Sequence, residues 1–133
     1  MNLAKRSFSC TIRRVSFIKM KTLIVKKPWG QFDQFTHNEV TTVKVLSINP
    51  DTSLSLQYHN HRDEFWRVLS GHPVLTIGEK KMNAKPGDEF MIPKLVKHKI
   101  EAKDDAVQIL EISYDDNFDE EDIIRLEDKY GRA

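Results

Sequence analysis

The densest group of metal-binding side chains in this sequence lies at residues 57–66. The stretch holds five side chains that bind metals or anions, namely Gln57, His59, His61, Arg62 and Glu64. Two imidazole nitrogens with amide and carboxylate oxygens form a mixed N/O ligand set, which suits Zn²⁺, Mn²⁺, Fe²⁺ or Co²⁺. The stretch therefore predicts a divalent metal site, and a solvated surface turn is the alternative interpretation.

The alternation of polar and apolar residues indicates which of these side chains can meet. A strand that ends near residue 60 would place Gln57, His59 and His61 on one face, because side chains alternate along a strand. Residues 60–63 are polar and can turn the chain, so Glu64 can return beside His59 at the start of the next strand. A further nitrogen ligand, His98, requires the chain to fold back.

A second segment, at residues 86–98, has the features needed to bring His98 to the site. A Pro-Gly turn begins a short apolar strand, Pro93 ends it, and His98 begins another β-prone run. The two segments together favour the metal site over the solvated turn.

Both segments resemble the paired motifs of the cupin superfamily. The first motif is matched by Gln57, His59, Glu64 and Gly71, and the second by Gly87, Pro93 and His98. Two positions depart from the usual pattern, since Gln57 replaces a histidine and Leu95 replaces a glycine. The resemblance implies a four-ligand metal site of Gln57, His59, Glu64 and His98. Zn²⁺ is the expected ion, with Co²⁺, Mn²⁺, Mg²⁺ or Fe²⁺ as alternatives.

A narrower resemblance, to the stand-alone cupin form of the type II phosphomannose isomerases, covers residues 27 to 132. It is carried by Gln-x-His-x-His-Arg-x-Glu together with residues 27–30 and 124–132. It implies a metal-dependent mannose-6-phosphate isomerase that forms fructose 6-phosphate through an enediol and supplies GDP-mannose synthesis. A non-catalytic sugar- or metal-binding cupin, or a cupin enzyme with another substrate, is the alternative. We expect no guanylyltransferase domain, because the chain is too short for one.

Several residues near the predicted ligands could carry out this chemistry. His61 is expected to carry the proton, because it shares the strand face without belonging to the ligand set; orienting or replacing a ligand is its alternative role. Glu111 is a second candidate base, or a group that orients the site. Arg62 is expected to stabilise the enediolate or to bind phosphate. Lys97 and Arg132 are further substrate-binding candidates, although Lys97 could simply be solvated.

The composition is that of one ordinary globular domain. Hydrophobic residues make up 39% and charged residues 31% of the chain. No apolar run approaches the ~20 residues needed to cross a bilayer. The single cysteine, Cys10, excludes an internal disulfide and fits a cytoplasmic location. The expected partners are a phosphorylated sugar and, by analogy with other cupins, a second copy of the chain, with neither nucleic acid nor membrane.

The first nineteen residues are basic and contain no acidic residue. We interpret residues 1–19 as a leader that is disordered or lies upstream of a true start at Met20. A transit peptide or a nucleic-acid-binding arm is the alternative. Residues 20–133 are then the cupin domain.

Short β-prone runs separated by turns fill this domain. They lie at residues 22–25, 31–36, 40–48, 65–69, 74–77, 80–84, 89–92, 98–102 and 106–114. Such spacing predicts an all-β sandwich or barrel, and the resemblance implies a single-domain jelly-roll β-barrel. One short C-terminal helix is predicted, capped by Asn117, acidic at residues 119–122 and ended by Gly131. Its apolar face would contain Ile123, Leu126 and Tyr130.

Overall fold

The computed structural model describes residues 22–127, and all regular structure in this part of the chain is β. The strands are β1 (Leu23–Lys27), β2 (Gly30–Gln34), β3 (Thr41–Ile48), β4 (Thr52–Ser53), β5 (Leu56–Tyr58), β6 (Asp63–Ser70), β7 (Val74–Ile77), β8 (Lys80–Asn83), β9 (Glu89–Ile92), β10 (His98–Ala102), β11 (Val107–Tyr114) and β12 (Ile124–Glu127). The predicted all-β class is therefore confirmed. Among these residues, no helix has the length and apolar character needed to cross a membrane.

The chain divides into two compact units, with the boundary between Glu39 and Val40. The described part of the first unit is a hairpin in which β1 and β2 pair antiparallel, from Leu23 opposite Gln34 to Lys27 opposite Gly30. The predicted leader at residues 1–19 lies outside the described residues.

The second unit contains two sheets. One has the strand order β3-β11-β6-β9, and the other has the order β12-β5-β10-β7-β8 with β4 also paired to β10. Apolar side chains from both sheets form one buried cluster, which includes Trp66, Val68, Leu75, Ile92, Ile100 and Ile109. Full burial of such a side chain contributes roughly 1.5–3 kcal/mol. The two sheets therefore pack face to face over a common core.

Strands β5 and β10 and the β9–β10 loop position part of the predicted site. Gln57 of β5 lies directly opposite His98 of β10, and directly opposite residues of paired strands point to the same face. The β9–β10 loop is held against the ligand strand because the backbone N–H of Leu95 donates to the carbonyl oxygen of His59 at 2.7 Å. Leu95 has φ 73°, a left-handed conformation that glycine adopts more readily. Leu95 therefore adopts a backbone conformation that suits the glycine usual at this position.

The predicted C-terminal helix is wrong within the described residues. Ile124–Glu127 forms β12, which pairs with β5 and extends that sheet. Of the expected buried face, Leu126 is 47% exposed and Ile123 is only half-buried. The helical spacing of the apolar residues is a local signal, and the open edge of β5 outweighs it because it offers backbone partners from a distant part of the chain. Tyr130, Gly131 and Arg132 lie outside the described residues.

Candidate metal centre

His59, Glu64 and His98 come together in the interior of the second unit. One ligand atom from each residue lies within 4.8 Å of the others. His59 follows β5, Glu64 belongs to β6 and His98 begins β10. All three side chains are buried, and Glu64 is 0% exposed. Two imidazoles and a carboxylate in this arrangement could hold a metal ion.

The hydrogen bonds of the two histidines determine which ring nitrogens face the centre. Nδ1 of His59 lies 2.7 Å from the carbonyl oxygen of Asp122, and Nδ1 of His98 lies 3.0 Å from that of Val96. A carbonyl oxygen only accepts, so both Nδ1 atoms carry the proton and donate it. Both Nε2 atoms are then left with a lone pair, the form in which histidine binds a metal.

Glu64 is the carboxylate that these lone pairs face. Nε2 of His59 lies 3.1 Å from its Oε2, and Nε2 of His98 lies 3.9 Å from its Oε1. Burial alone would raise the pKa of Glu64, but the polar and charged groups around it, Arg62 among them, outweigh burial and lower the pKa to about 2. Lone pairs that face an ionised carboxylate repel it, and a cation between them would relieve the repulsion. Arg62 does this only for His59, since its Nη2 lies 3.4 Å from Nε2 of that residue. The donor set therefore fits a divalent ion.

The lowered pKa of His98 agrees with its assignment as a metal ligand. Burial lowers the pKa of His98, and the nearby Glu64 carboxylate opposes that effect only in part. A metal ligand must be the neutral imidazole, and a lowered pKa favours this form.

Arg62 and Trp66 hold the carboxylate of Glu64 in place. Nε of Arg62 donates to Oε2 at 3.0 Å, and Nε1 of Trp66 donates to Oε1 at 3.2 Å. Arg62 also donates through Nη1 to the carbonyl oxygen of Asp119 at 3.2 Å and lies over the Phe118 ring at 4.6 Å. The guanidinium of Arg62 is therefore buried and hydrogen-bonded to protein groups.

Gln57, the fourth predicted ligand, lies on the same sheet face as His98. Its Nε2 donates to the carbonyl oxygen and to Oγ of Ser55, at 3.1 Å and 3.2 Å. These bonds orient the amide so that Oε1 is the atom that can bind a metal ion. The role of Gln57 as a ligand stays a prediction that this orientation supports.

Glu111 lies beside the centre and is a different kind of carboxyl group from Glu64. It faces Trp66 across the β11–β6 pair, and Nε1 of Trp66 lies 3.3 Å from its Oε2. Burial, followed by the charge of Glu64 and a hydrogen bond with it, raises the pKa of Glu111 to about 8. Glu111 is therefore protonated at neutral pH and can donate a proton towards Glu64.

The other predicted site residues are not gathered into this buried cluster. The side chains of His61 and Lys97 are exposed. His61 contributes a backbone N–H, which donates to Oδ2 of Asp122 at 2.9 Å. Arg132 lies outside the described residues. The catalytic and substrate-binding roles of these residues therefore stay predictions.

Two residues near the centre were missed by sequence reasoning. Asp122 belongs to an acidic run that was interpreted as the start of a helix, yet it contacts the segment that follows β5. Arg125 lies opposite Gln57 in the β12–β5 pair, and Gln57 in turn lies opposite His98. The three side chains form a row on the metal-binding face of the sheet. Only the pairing of β12 with β5 reveals either residue.

The fold is that of a cupin. A crystal structure of a cupin protein from Bacteroides fragilis superimposes with a TM-score of 0.53, covering 60% of this chain and 70% of that one at 23% sequence identity. At this identity the similarity shows the fold alone. The predicted jelly-roll architecture is confirmed by it.

The curated relatives correct the predicted function. The xanthan biosynthesis protein XanB of Xanthomonas campestris is 34% identical over 110 residues, which is 82% of this chain and 24% of that protein. Mannose-1-phosphate guanylyltransferase 2 of Escherichia coli is 35% identical over 107 residues, which is 80% of this chain and 22% of that protein. These relatives are named for guanylyl transfer and polysaccharide synthesis, so the predicted mannose-6-phosphate isomerase is wrong. This chain spans about a quarter of their length.

The family itself is defined by a match that covers most of the chain. The family model described as "Mannose-6-phosphate isomerase C-terminal" matches residues 17–128, which include all four predicted ligands. The match identifies the type of domain and leaves the reaction open, because one domain type occurs in proteins of different activity. This chain belongs to the mannose-6-phosphate isomerase C-terminal family and has the cupin fold.

Proposed function

We propose that this chain is a metal-dependent domain that binds a phosphorylated sugar of the mannose series. The main support is the convergence of two histidine Nε2 atoms on the buried, ionised carboxylate of Glu64. Gln57 would complete the set through Oε1, and the mixed N/O ligands favour Zn²⁺, with Co²⁺, Mn²⁺, Mg²⁺ or Fe²⁺ as alternatives. The ion would act as a Lewis acid towards sugar or phosphate oxygens.

The charge of the centre favours an anionic ligand. Glu64 is the one anionic side chain among the four proposed ligands, and Arg62 already donates to it. A divalent ion would therefore keep positive charge after binding, and a phosphate group can neutralise that charge. The E. coli relative is named for mannose 1-phosphate, which makes this sugar phosphate the first ligand to test.

The proposed contacts with the ligand involve residues around the buried cluster. Arg125 shares the face of Gln57, and Lys97 precedes His98 by one residue, so both are proposed phosphate contacts together with Arg132. Arg62 would act through Glu64, because its guanidinium is engaged there. If the domain also catalyses a reaction, exposed His61 and protonated Glu111 are the groups proposed to move protons. A cytoplasmic location, where sugar phosphates are made and used, is part of the same proposal.

Two binding measurements test this function. Metal-stripped protein would be reloaded with Zn²⁺, Co²⁺, Mn²⁺ or Mg²⁺, and bound metal would be counted by plasma mass spectrometry. Calorimetric titration with mannose 1-phosphate would follow, on loaded and stripped protein, with mannose and inorganic phosphate as controls. We expect a single ion per chain, and sugar-phosphate binding only in the loaded form. Equal binding to both forms would separate the sugar site from the metal, and binding of neither would refute the proposal.

A further inference from the structure

We propose that Asp122 is a positioning residue of the metal centre, which fixes His59 and the turn after it in the geometry that binds the ion. The inference rests on the proposed metal site. It concerns a residue that touches neither the ion nor the ligand and acts through its neighbours.

Asp122 contacts three consecutive residues of the ligand segment. Its carbonyl oxygen accepts from Nδ1 of His59 at 2.7 Å. Its carboxylate accepts from the backbone N–H groups of Asn60 and His61, each at 2.9 Å and each through a different oxygen. The residue is 8% exposed, so these bonds are sheltered from water. One residue therefore controls both the ring of His59 and the direction in which the chain leaves β5.

The turn that carries Asp122 is itself anchored. The backbone N–H of Asp122 donates to the carbonyl oxygen of Asp119 at 3.0 Å. The same carbonyl oxygen accepts from Nη1 of Arg62 at 3.2 Å. Three residues later, Arg125 pairs with Gln57. This turn therefore accepts hydrogen bonds from His59, which it orients, and from Arg62, which holds Glu64.

These contacts should affect metal affinity directly. The bond to Nδ1 fixes the tautomer and the plane of the His59 ring, so Nε2 is directed towards Glu64 before any ion arrives. When the carboxylate of residue 122 becomes an amide, one of the two backbone N–H groups loses its acceptor and faces an NH2 group. The turn can then move, and the carbonyl oxygen of residue 122 can move away from Nδ1 of His59. Loss of a partner that orients a ligating histidine typically weakens metal binding by about 10–100-fold.

The test compares Asp122→Asn with Asp116→Asn, which removes the same charge at an exposed position six residues upstream. The dissociation constant for Zn²⁺ would be measured by competition with a chromophoric chelator, on protein shown to be folded by circular dichroism. We expect Asp122→Asn to weaken binding by about 10–100-fold and Asp116→Asn to match the wild type. Folded Asp122→Asn with wild-type affinity would overturn the inference.

Two further measurements keep the test decisive. If Asp122→Asn does not fold, Asp122→Ser offers a single shorter acceptor for the two N–H groups, and a folded Asp122→Ser with wild-type affinity would overturn the inference. If the folded wild type binds no metal, the proposed function fails by itself. The positioning role is then decided by ¹⁵N spectra of the histidine rings in metal-free protein. A fixed Nδ1–H tautomer of His59 that is lost in Asp122→Ala supports the role, and an unchanged tautomer refutes it.

Discussion

Arg62 is a buried cation whose contacts with Glu64 predict a large effect on stability. Its Nε lies 3.0 Å from Oε2 of Glu64, and both side chains are almost completely buried. Breaking a buried ion pair by removing one partner typically costs about 3–5 kcal/mol, because the other charge remains buried and uncompensated. We therefore expect Arg62→Ala to lower the free energy of unfolding of metal-free protein by about that amount in urea titrations.

Arg67, five residues later in β6, provides a matched control for this variant. Nη1 of Arg67 contacts Oε2 of Glu89 at 2.6 Å, but the two side chains are 26% and 28% exposed. A partly exposed pair contributes about 1 kcal/mol or less. Equal losses from Arg62→Ala and Arg67→Ala would show that burial of the Arg62–Glu64 pair adds nothing to stability.

Glu111 predicts a pH dependence of stability. Its pKa is raised from the ordinary value of 4.5 to about 8, first by burial and then by Glu64. Between these values the folded chain holds a proton that the unfolded chain releases, so the free energy of unfolding falls as pH rises through this window. Glu64 has the opposite effect, because its pKa is lowered to about 2 and its contribution is lost only below its ordinary value of 4.5.

Urea titrations of metal-free protein at about pH 5 and about pH 8 would measure this effect. The variant Glu111→Gln resembles the protonated side chain and cannot ionise. We expect the wild type to lose stability between the two pH values and the variant to lose much less. A variant that loses as much as the wild type would assign the pH dependence to other groups.

Among the strands, β12 is the one that the sequence predicted wrongly, as part of a helix. The β-prone runs between residues 40 and 114 are short, apolar or alternating, and separated by turns, which is a local signal of strands. Residues 124–127 form a strand because they pair with β5, almost seventy residues earlier. The local spacing of apolar residues cannot predict a partner so far away in the sequence. The motif residues His59, Glu64 and His98 were predicted to meet, whereas Asp122 and Arg125 reach the centre only through this non-local pairing.

Arg125 supplies the prediction that belongs to this strand. It lies in one row with Gln57 and His98 across β12, β5 and β10. Arg125 is the proposed phosphate contact in this row. Arg125→Ala should therefore weaken mannose 1-phosphate binding to metal-loaded protein by about tenfold or more. A hydrogen bond to a charged group contributes about 1.5–3 kcal/mol, and tenfold in affinity corresponds to about 1.4 kcal/mol.

The control variant and the metal affinity make this test specific. Lys103→Ala removes a positive charge from the exposed end of the same sheet, where Nζ of Lys103 contacts Glu101 at 3.2 Å. We expect this variant to bind the sugar phosphate as the wild type does, and both variants to keep wild-type Zn²⁺ affinity. Unchanged ligand binding in Arg125→Ala would remove Arg125 from the site, and loss of metal would show a role in the metal centre.

For the molecule as a whole, fold and reaction were predictable to different degrees. The paired motifs around Gln57 and His98 carry the geometry of a cupin site, so the sequence was sufficient for the fold class. The same ligands can serve isomerisation, other chemistry or binding alone, because the reaction depends on the groups that contact the substrate. Arg125 is proposed to be one of those groups, and Arg132 lies beyond the described residues. The proposed homodimer also stays a prediction, since its interface has no motif in the sequence.

Metal binding should also stabilise the whole second unit. His59, Glu64 and His98 come from three different strand regions, so an ion bound to all three links parts of the chain that separate on unfolding. A ligand at 100 times its dissociation constant stabilises the folded state by about 2.7 kcal/mol. Thermal unfolding followed by circular dichroism should therefore show a higher Tm with Zn²⁺ than with a chelator. In His98→Ala the increase should disappear, and an increase that persists in this folded variant would place the ion at another site.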